Sequence, residues 1–248
     1  MFTYLKLKFL RRFQKRFAPH QTKILNYTVF YNDPRSLFSE YKLVFKDKIY
    51  HFESKTNTPF IIDGGGHIGL ATLYFKKLYP DSEILIFEPD KAALLMLKKN
   101  IEINKIEKTT IHEVGISNKK GIISFQDSGT DGAKINPQGN STINVDKLSN
   151  YLDKTVDFMK LNIEGEELNV LKDLEETNKL ALIKQMCVEW HSFAGQKQNL
   201  GEFLSILEKN NFKYLINHFN YRINPRLKPP FKLSENTQYY LLIYAKKI

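Results

Sequence analysis

A run of glycines directly behind an apolar strand constrains this chain more than any other feature. Phe60-Ile61-Ile62 leads into Asp63-Gly64-Gly65-Gly66-His67-Ile68-Gly69, and an amphipathic segment reaching Leu78 follows at once. A backbone turning sharply from strand to helix approaches a ligand closely only where no Cβ intervenes, and the helix start presents free N–H groups. The alternation then continues. Glu83 to Glu88, Thr110 to Ile116, Val156 to Ile163 and Ile183 to Trp190 read as strands; Ala92 to Ile103, Glu166 to Leu174 and Leu200 to Lys209 read as helices. Helices between successive strands require a parallel sheet with right-handed crossovers. Phe212 to Ile216 and Gln238 to Ala245 predict a closing antiparallel hairpin around an excursion from Pro225 to Pro230.

Three segments emerge: a basic amphipathic helix over 1–22, a small lead-in or lid over 23–57, and the α/β domain over 58–248. In the lead-in, 24–31 and 41–45 read as strands separated by Asp33-Pro34. With 42% hydrophobic residues, 18 Phe and 13 Tyr, the chain has apolar surface enough for a folded core. Cys187 is the single cysteine, so no intramolecular disulfide forms, and a reducing cytoplasm is the expected compartment. No apolar run is long enough to span a bilayer, and the N-terminus lacks the pattern of a signal peptide.

The formal net charge is +10, and its distribution is uneven: Lys6, Lys8, Arg11, Arg12, Lys15, Arg16 and Lys23 all precede Asp33, the first acid. Phe2, Leu5, Phe9, Phe13 and Phe17 recur at helical spacing between these cations. Such a helix docks on its own protein, lies in an anionic lipid interface or binds nucleic-acid phosphate. The lipid reading would make the protein peripheral at the inner face of the membrane.

Two ligand classes compete for the glycine turn. A dinucleotide would set its pyrophosphate beside Asp63, like charge against like. S-adenosylmethionine (SAM) carries an ammonium and a sulfonium instead, which an acidic strand end favours. Glu88, in Glu88-Pro89-Asp90, stands 25 residues after Asp63 at the end of the second strand, where a carboxylate accepts ribose hydroxyls in either class. Glu113-Val114-Gly115 closes the third strand, where backbone groups or the Glu113 side chain would meet adenine.

These segments, with Leu97 and Asn100, Val114 to Gly121, and Met159-Lys160-Leu161-Asn162-Ile163-Glu164-Gly165-Glu166-Glu167, resemble the FkbM family of SAM-dependent methyltransferases from about Pro59 to Phe219. The resemblance implies a class I methyltransferase Rossmann-like fold, a mostly parallel seven-stranded sheet with helices on both faces. It also implies methylation of a hydroxyl on a sugar, glycan or polyketide-like product, with a glycan or glycolipid-type acceptor expected here. SAM would be held by Asp63, Gly64, Gly65, Gly66, His67, Gly69, Glu88, Pro89, Glu113, Val114, Gly115 and Asn162. The chain departs from the family at His67, where Asn is usual, at Gly64 and Gly66 for Val and Ala, and at Asn162, where Asp is usual.

An alcohol needs a base. Ligands sit beyond the carboxyl ends of a parallel sheet, which gathers Asp63, Glu88, Asn162, Glu164 and the Glu189-Trp190-His191 strand end. His191 is the leading base candidate, with Glu164 and Glu166 next; Lys160 belongs to the same candidate catalytic set, and Asn162 orients substrate or the methionine part of SAM. Glu164, Glu189 and His191 are possible donors to a divalent ion, but their spacing is not diagnostic and no metal site is expected. The polar stretches Asp127 to Lys134 and Asn140 to Thr142 are candidates for a substrate loop. Rival readings are an NAD(P)-dependent oxidoreductase, a nucleic-acid methyltransferase, against which stands the lack of an Asn-Pro-Pro-aromatic or paired-cysteine motif, and a non-catalytic SAM-binding module.

Overall fold

In the computed structural model, which describes residues 2–126, 134–135, 141–218, 234 and 237–248, the basic arm forms helix α1 (Phe2–Phe13). A hairpin of β1 (His20–Ile24) and β2 (Tyr27–Tyr31) and then helix α2 (Pro34–Tyr41) follow. Both strand expectations for the lead-in need correction. Leu25, in the left-handed region at φ 53°, divides the first run into the hairpin. Asp33 and Pro34 start a helix: the Asp33 carboxylate accepts the Arg35 N–H at 3.0 Å, and proline occupies the first turn, where its missing N–H leaves no bond unmade. Residues Lys42–Lys46 continue as a π-helical turn instead of a strand.

The α/β body begins with β3 (Phe60–Gly64), α3 (Leu70–Leu78), β4 (Glu83–Phe87), α4 (Lys91–Ile103) and β5 (Thr109–His112). Then come β6 (Gly115–Ser117), β7 (Gly121–Gln126), β8 (Lys134–Ile135) and β9 (Ser141–Lys147). The chain closes with β10 (Phe158–Leu161), α5 (Glu167–Glu176), β11 (Gln185–Ser192), α6 (Leu200–Lys209), β12 (Phe212–His218) and β13 (Tyr239–Lys247).

Seven strands form the main sheet in the order β12-β13-β11-β10-β3-β4-β5. Every neighbouring pair from β11 to β5 is parallel, while β13 slots antiparallel between β11 and β12. Helices α5 and α6 bury Leu168, Leu171, Phe203 and Leu207 on one face, and α3 and α4 bury Tyr74, Phe75, Leu94 and Leu97 on the other. Strand order reverses between β3 and β10, so the crevice for a ligand lies beyond the carboxyl ends of these two strands.

The expected third strand is divided. His112 ends β5, and Gly115–Ser117 joins a second, four-stranded sheet of order β6-β9-β7-β8, which the sequence reading did not foresee. Of the candidate substrate loop, Lys134 lies in β8 and Ser141 and Thr142 lie in β9. Residues 127–133 and 136–140 fall outside the described residues, as does the excursion from 225 to 230.

Arm and lead-in are built into the body. Leu7, Ile24, Val29, Tyr31, Leu37 and Phe38 pack with Ile68, Leu70, Leu73 and Met96, directly behind the glycine turn.

Candidate active site

The glycines are required first by packing. A Cβ on Gly64 would come within 2.9 Å of the Ile116 and Leu161 side chains, and one on Gly66 within 2.3 Å of Ile86 Cγ2. Gly65, at φ 78°, would drive a Cβ to 1.9 Å from the Asn162 carbonyl. Gly69, at φ 90°, precedes α3 in the left-handed region that favours glycine. The turn is thus wedged between β4 and β10, and packing alone already calls for these glycines.

Its amides are engaged within the chain. Gly65 and Gly66 both donate to the Phe87 carbonyl, at 2.9 and 3.0 Å, and Gly69 donates to Gly66 at 2.8 Å. The His67 N–H donates to Glu88 Oε2 at 2.7 Å. These groups do not form the open nest of donors that a pyrophosphate requires.

Asp63 plays a different part from the one expected. It is fully buried, accepts the Thr72 hydroxyl at 2.7 Å and pairs with Lys160 Nζ at 3.0 Å. Its charge is therefore balanced internally by Lys160, so the expected repulsion of a pyrophosphate by a free carboxylate does not apply. Lys160 is also buried, and donates to the Gly64 carbonyl at 3.0 Å and to the Gly65 carbonyl. It is a brace beneath the glycine turn, which corrects its placement among catalytic candidates.

Glu88 lies at the end of β4, buried, with its pKa pushed up by burial. Its second oxygen accepts the Asp90 N–H at 2.8 Å, and each carboxylate oxygen keeps a further lone pair for a hydroxyl. Pro89 lies beside Gly115, whose Cβ would stand 3.6 Å from Pro89 Cγ. Glu113 instead points outward and pairs with Lys98 on α4, both exposed, so its side chain does not line the crevice; Val114 is half-buried beside it. Asn162, whose N–H donates to the Gly64 carbonyl at 3.1 Å, carries a buried side-chain oxygen with no hydrogen-bond partner among the described residues. An unfilled acceptor beside the glycine turn, with Glu88 across it, fits a ligand carrying an ammonium and a ribose.

The strongest cluster of charges forms where β10 and β11 end. Glu164 (φ 55°) and Gly165 (φ 106°) both take left-handed conformations, folding the chain back over β11. Glu167, at the start of α5, holds this turn by accepting the Gly165 N–H at 3.0 Å and the Ile163 N–H at 3.3 Å. His191 is enclosed between them, with Nδ1 at 3.0 Å from Glu167 and Nε2 at 3.6 Å from Glu164. Burial alone would lower its pKa, but Glu164 first, then Glu167 and Glu189, outweigh it and raise the value to about 9. The carboxylates thus favour the cationic form of His191 near neutral pH, in which the ring is a poor proton acceptor. Glu164 is the less buried carboxylate of the pair.

Glu166 turns away to Ser117 and Asn169, leaving the histidine to Glu167. Two partners from the lead-in have no distinguishing sequence signal: Glu40 meets His67 Nδ1, and the Tyr50 hydroxyl donates to Glu189. Burial raises the pKa of both Tyr50 and Glu189. Among the described residues, no group of three or more His, Cys, Asp or Glu is arranged to hold a metal ion. No helix of the described residues is long and apolar enough to cross a membrane.

The methyltransferase FkbM domain model matches residues 63–214, more than half the chain. Methyltransferase 1 of Beauveria bassiana (strain ARSEF 2860) is 26% identical over 218 residues, covering 75% of this chain and 86% of that protein. Among solved structures, methyltransferase FkbM from Methylobacillus flagellatus KT superposes with a TM-score of 0.55 at 16% identity, over 82% of this chain and 47% of that one, so this chain spans about half its length. M. jannaschii TYW2, solved in complex with AdoMet, gives a TM-score of 0.54 at 11% identity, over 95% of this chain and 89% of that one. A reversal crevice closed by the Glu88 strand end, the wedged glycine turn and the Lys160 to Glu167 segment are therefore the local form of a shared architecture: this chain belongs to the FkbM family of SAM-dependent methyltransferases.

Proposed function

We propose that this methyltransferase transfers the methyl group of SAM to a hydroxyl oxygen of a sugar, glycan or glycolipid-type acceptor. The observation that carries this reading is the Glu164–His191–Glu167 array beside Asn162 and the glycine turn. SAM supplies an electrophilic methyl on a positively charged sulfur. Glu88 holds the ribose hydroxyls, and the Asn162 side-chain oxygen accepts from the ammonium. Because attack by a neutral alcohol releases a proton, Glu164 takes that proton, while His191, fixed by Glu167, keeps the carboxylate oriented and its charge balanced. Cys187, the nucleophile that some base-carbon methylations would need, is buried, with its thiol pushed well up in pKa by that burial.

Incubation with methyl-labelled SAM and a panel of glycosides and nucleosides tests the acceptor class: the expected product is a base-stable methyl ether on a glycoside. Glu164→Gln should lower kcat by about 10²–10⁴-fold while leaving SAM affinity unchanged by calorimetry. Glu88→Ala should instead weaken SAM binding by roughly 1.5–3 kcal/mol. Undiminished turnover by Glu164→Gln, or label found only on nitrogen or carbon, would sink the proposal.

A further inference from the structure

The N-terminal helix shows an unforeseen division of labour between its faces. At about 100° per residue, Leu7 points roughly 160° away from Phe9. Leu7, 1% exposed, sits with Tyr4 and Leu10 in the cluster that joins the arm to α3 and α4. The helix is therefore docked, yet not through the aromatic stripe. Phe2, Leu5, Phe9, Phe13 and Phe17 remain 56% to 83% exposed. Phe9 and Phe13 lie against each other with ring centroids 4.4 Å apart, so the row is continuous.

Charge surrounds this row without opposition. Lys6 and Arg12 border it on either side of the helix, and Lys8, Arg12 and Lys15 are exposed. No acidic residue precedes Asp33, which is itself held by Arg16 at 2.7 Å. Phe17 adopts φ 57°, an uncommon conformation for a bulky side chain, and continues the exposed row past the end of α1.

We infer that this face of α1 is a docking surface for an anionic lipid bilayer, lying parallel to the membrane with the phenylalanines between the headgroups and the cations on phosphate. An interface that is charged outside and apolar just beneath satisfies both rows together. A nucleic-acid backbone would meet the cations and leave the aromatic row in water. Stable membrane attachment generally takes two such signals acting in concert. Because Leu7 anchors the opposite face, the body travels with the helix and need not unfold to bind. The inference rests on the arm alone and stands apart from the chemistry proposed for the crevice.

Flotation of the full chain with vesicles tests it. Binding should appear with phosphatidylcholine mixed with phosphatidylglycerol, be absent with phosphatidylcholine alone, and fall as salt screens the charges. Phe9→Ser/Phe13→Ser and Lys8→Glu/Arg12→Glu alter only exposed positions, so both should keep the wild-type melting temperature. Each should weaken vesicle binding by about tenfold or more. Wild-type protein that ignores the mixed vesicles at low salt overturns the inference. So does binding unaffected by the phenylalanine substitutions. Two other results identify a different occupant and overturn it equally: self-association abolished by the phenylalanine substitutions without vesicle binding, or duplex RNA binding that survives them.

Discussion

At the residue scale, His191 shows how neighbours redirect a side chain's chemistry. A lone histidine at a strand end suggests a base titrating near neutrality, but enclosure by Glu164, Glu167 and Glu189 favours its cationic form. Because its folded pKa is raised to about 9, the stabilisation it contributes is complete below the unfolded value near 6.5 and is lost as pH rises through about 9. Thermal denaturation from about pH 6.5 to about pH 9.5 should therefore show a steeper fall for wild type than for His191→Gln. Parallel curves would mean that the histidine is not held by these carboxylates. Nothing in the sequence singles out Glu167 over Glu166, because the choice depends on where the turn at Glu164 and Gly165 leaves the first residue of α5.

At the element scale, helix α4 acts as a substitute strand. Asn100 and Asn104, one turn apart, turn their side-chain amides to β2. Asn100 accepts from Phe30 N at 2.7 Å and donates to Phe30 O at 3.0 Å, and Asn104 does the same with Thr28, at 2.8 and 2.7 Å. Asn100 also donates to the Ile68 carbonyl at 2.8 Å, tying the hairpin to the segment that follows the glycines. Asn100→Leu should cost about 2–4 kcal/mol in urea unfolding, since it strands buried backbone groups, and more than Asn104→Ala at the less buried end. Equal small losses would show that the hairpin is held by apolar packing alone.

At the scale of the whole molecule, the arm and lead-in complete the body behind the site. The cluster around Leu7 continues through Ile24, Val29 and Leu37 to Ile68 and Leu70, so the N-terminal segments support the back of the glycine turn, and Glu40 and Tyr50 reach side chains in and beside it. Leu7→Ala should therefore lower global stability by about 2–5 kcal/mol in chemical denaturation, the usual cost of emptying a core leucine site. Retention of stability to within about 0.5 kcal/mol, the scale of surface substitutions, would show that the arm is not part of the core.

The alternating strands and helices, the ligand end of the sheet and the family are legible in the chain itself, because period, length and glycine punctuation are local properties that a parallel α/β sheet cannot do without. The start of α2 at Asp33 and Pro34 reads instead as a break between two strands, although an acid followed by proline is also a helix-start signal. What tertiary structure alone decided are the pairings between distant residues: Asp63 with Lys160, His191 with Glu167, Glu189 with Tyr50, and the choice of Leu7 over Phe9 as the docked face. Each depends on which side chains burial brings together. Charge on a buried group is set by those neighbours and not by its residue type, so the direction in which His191 titrates and the internal neutralisation of Asp63 became definite only once the sheet was assembled.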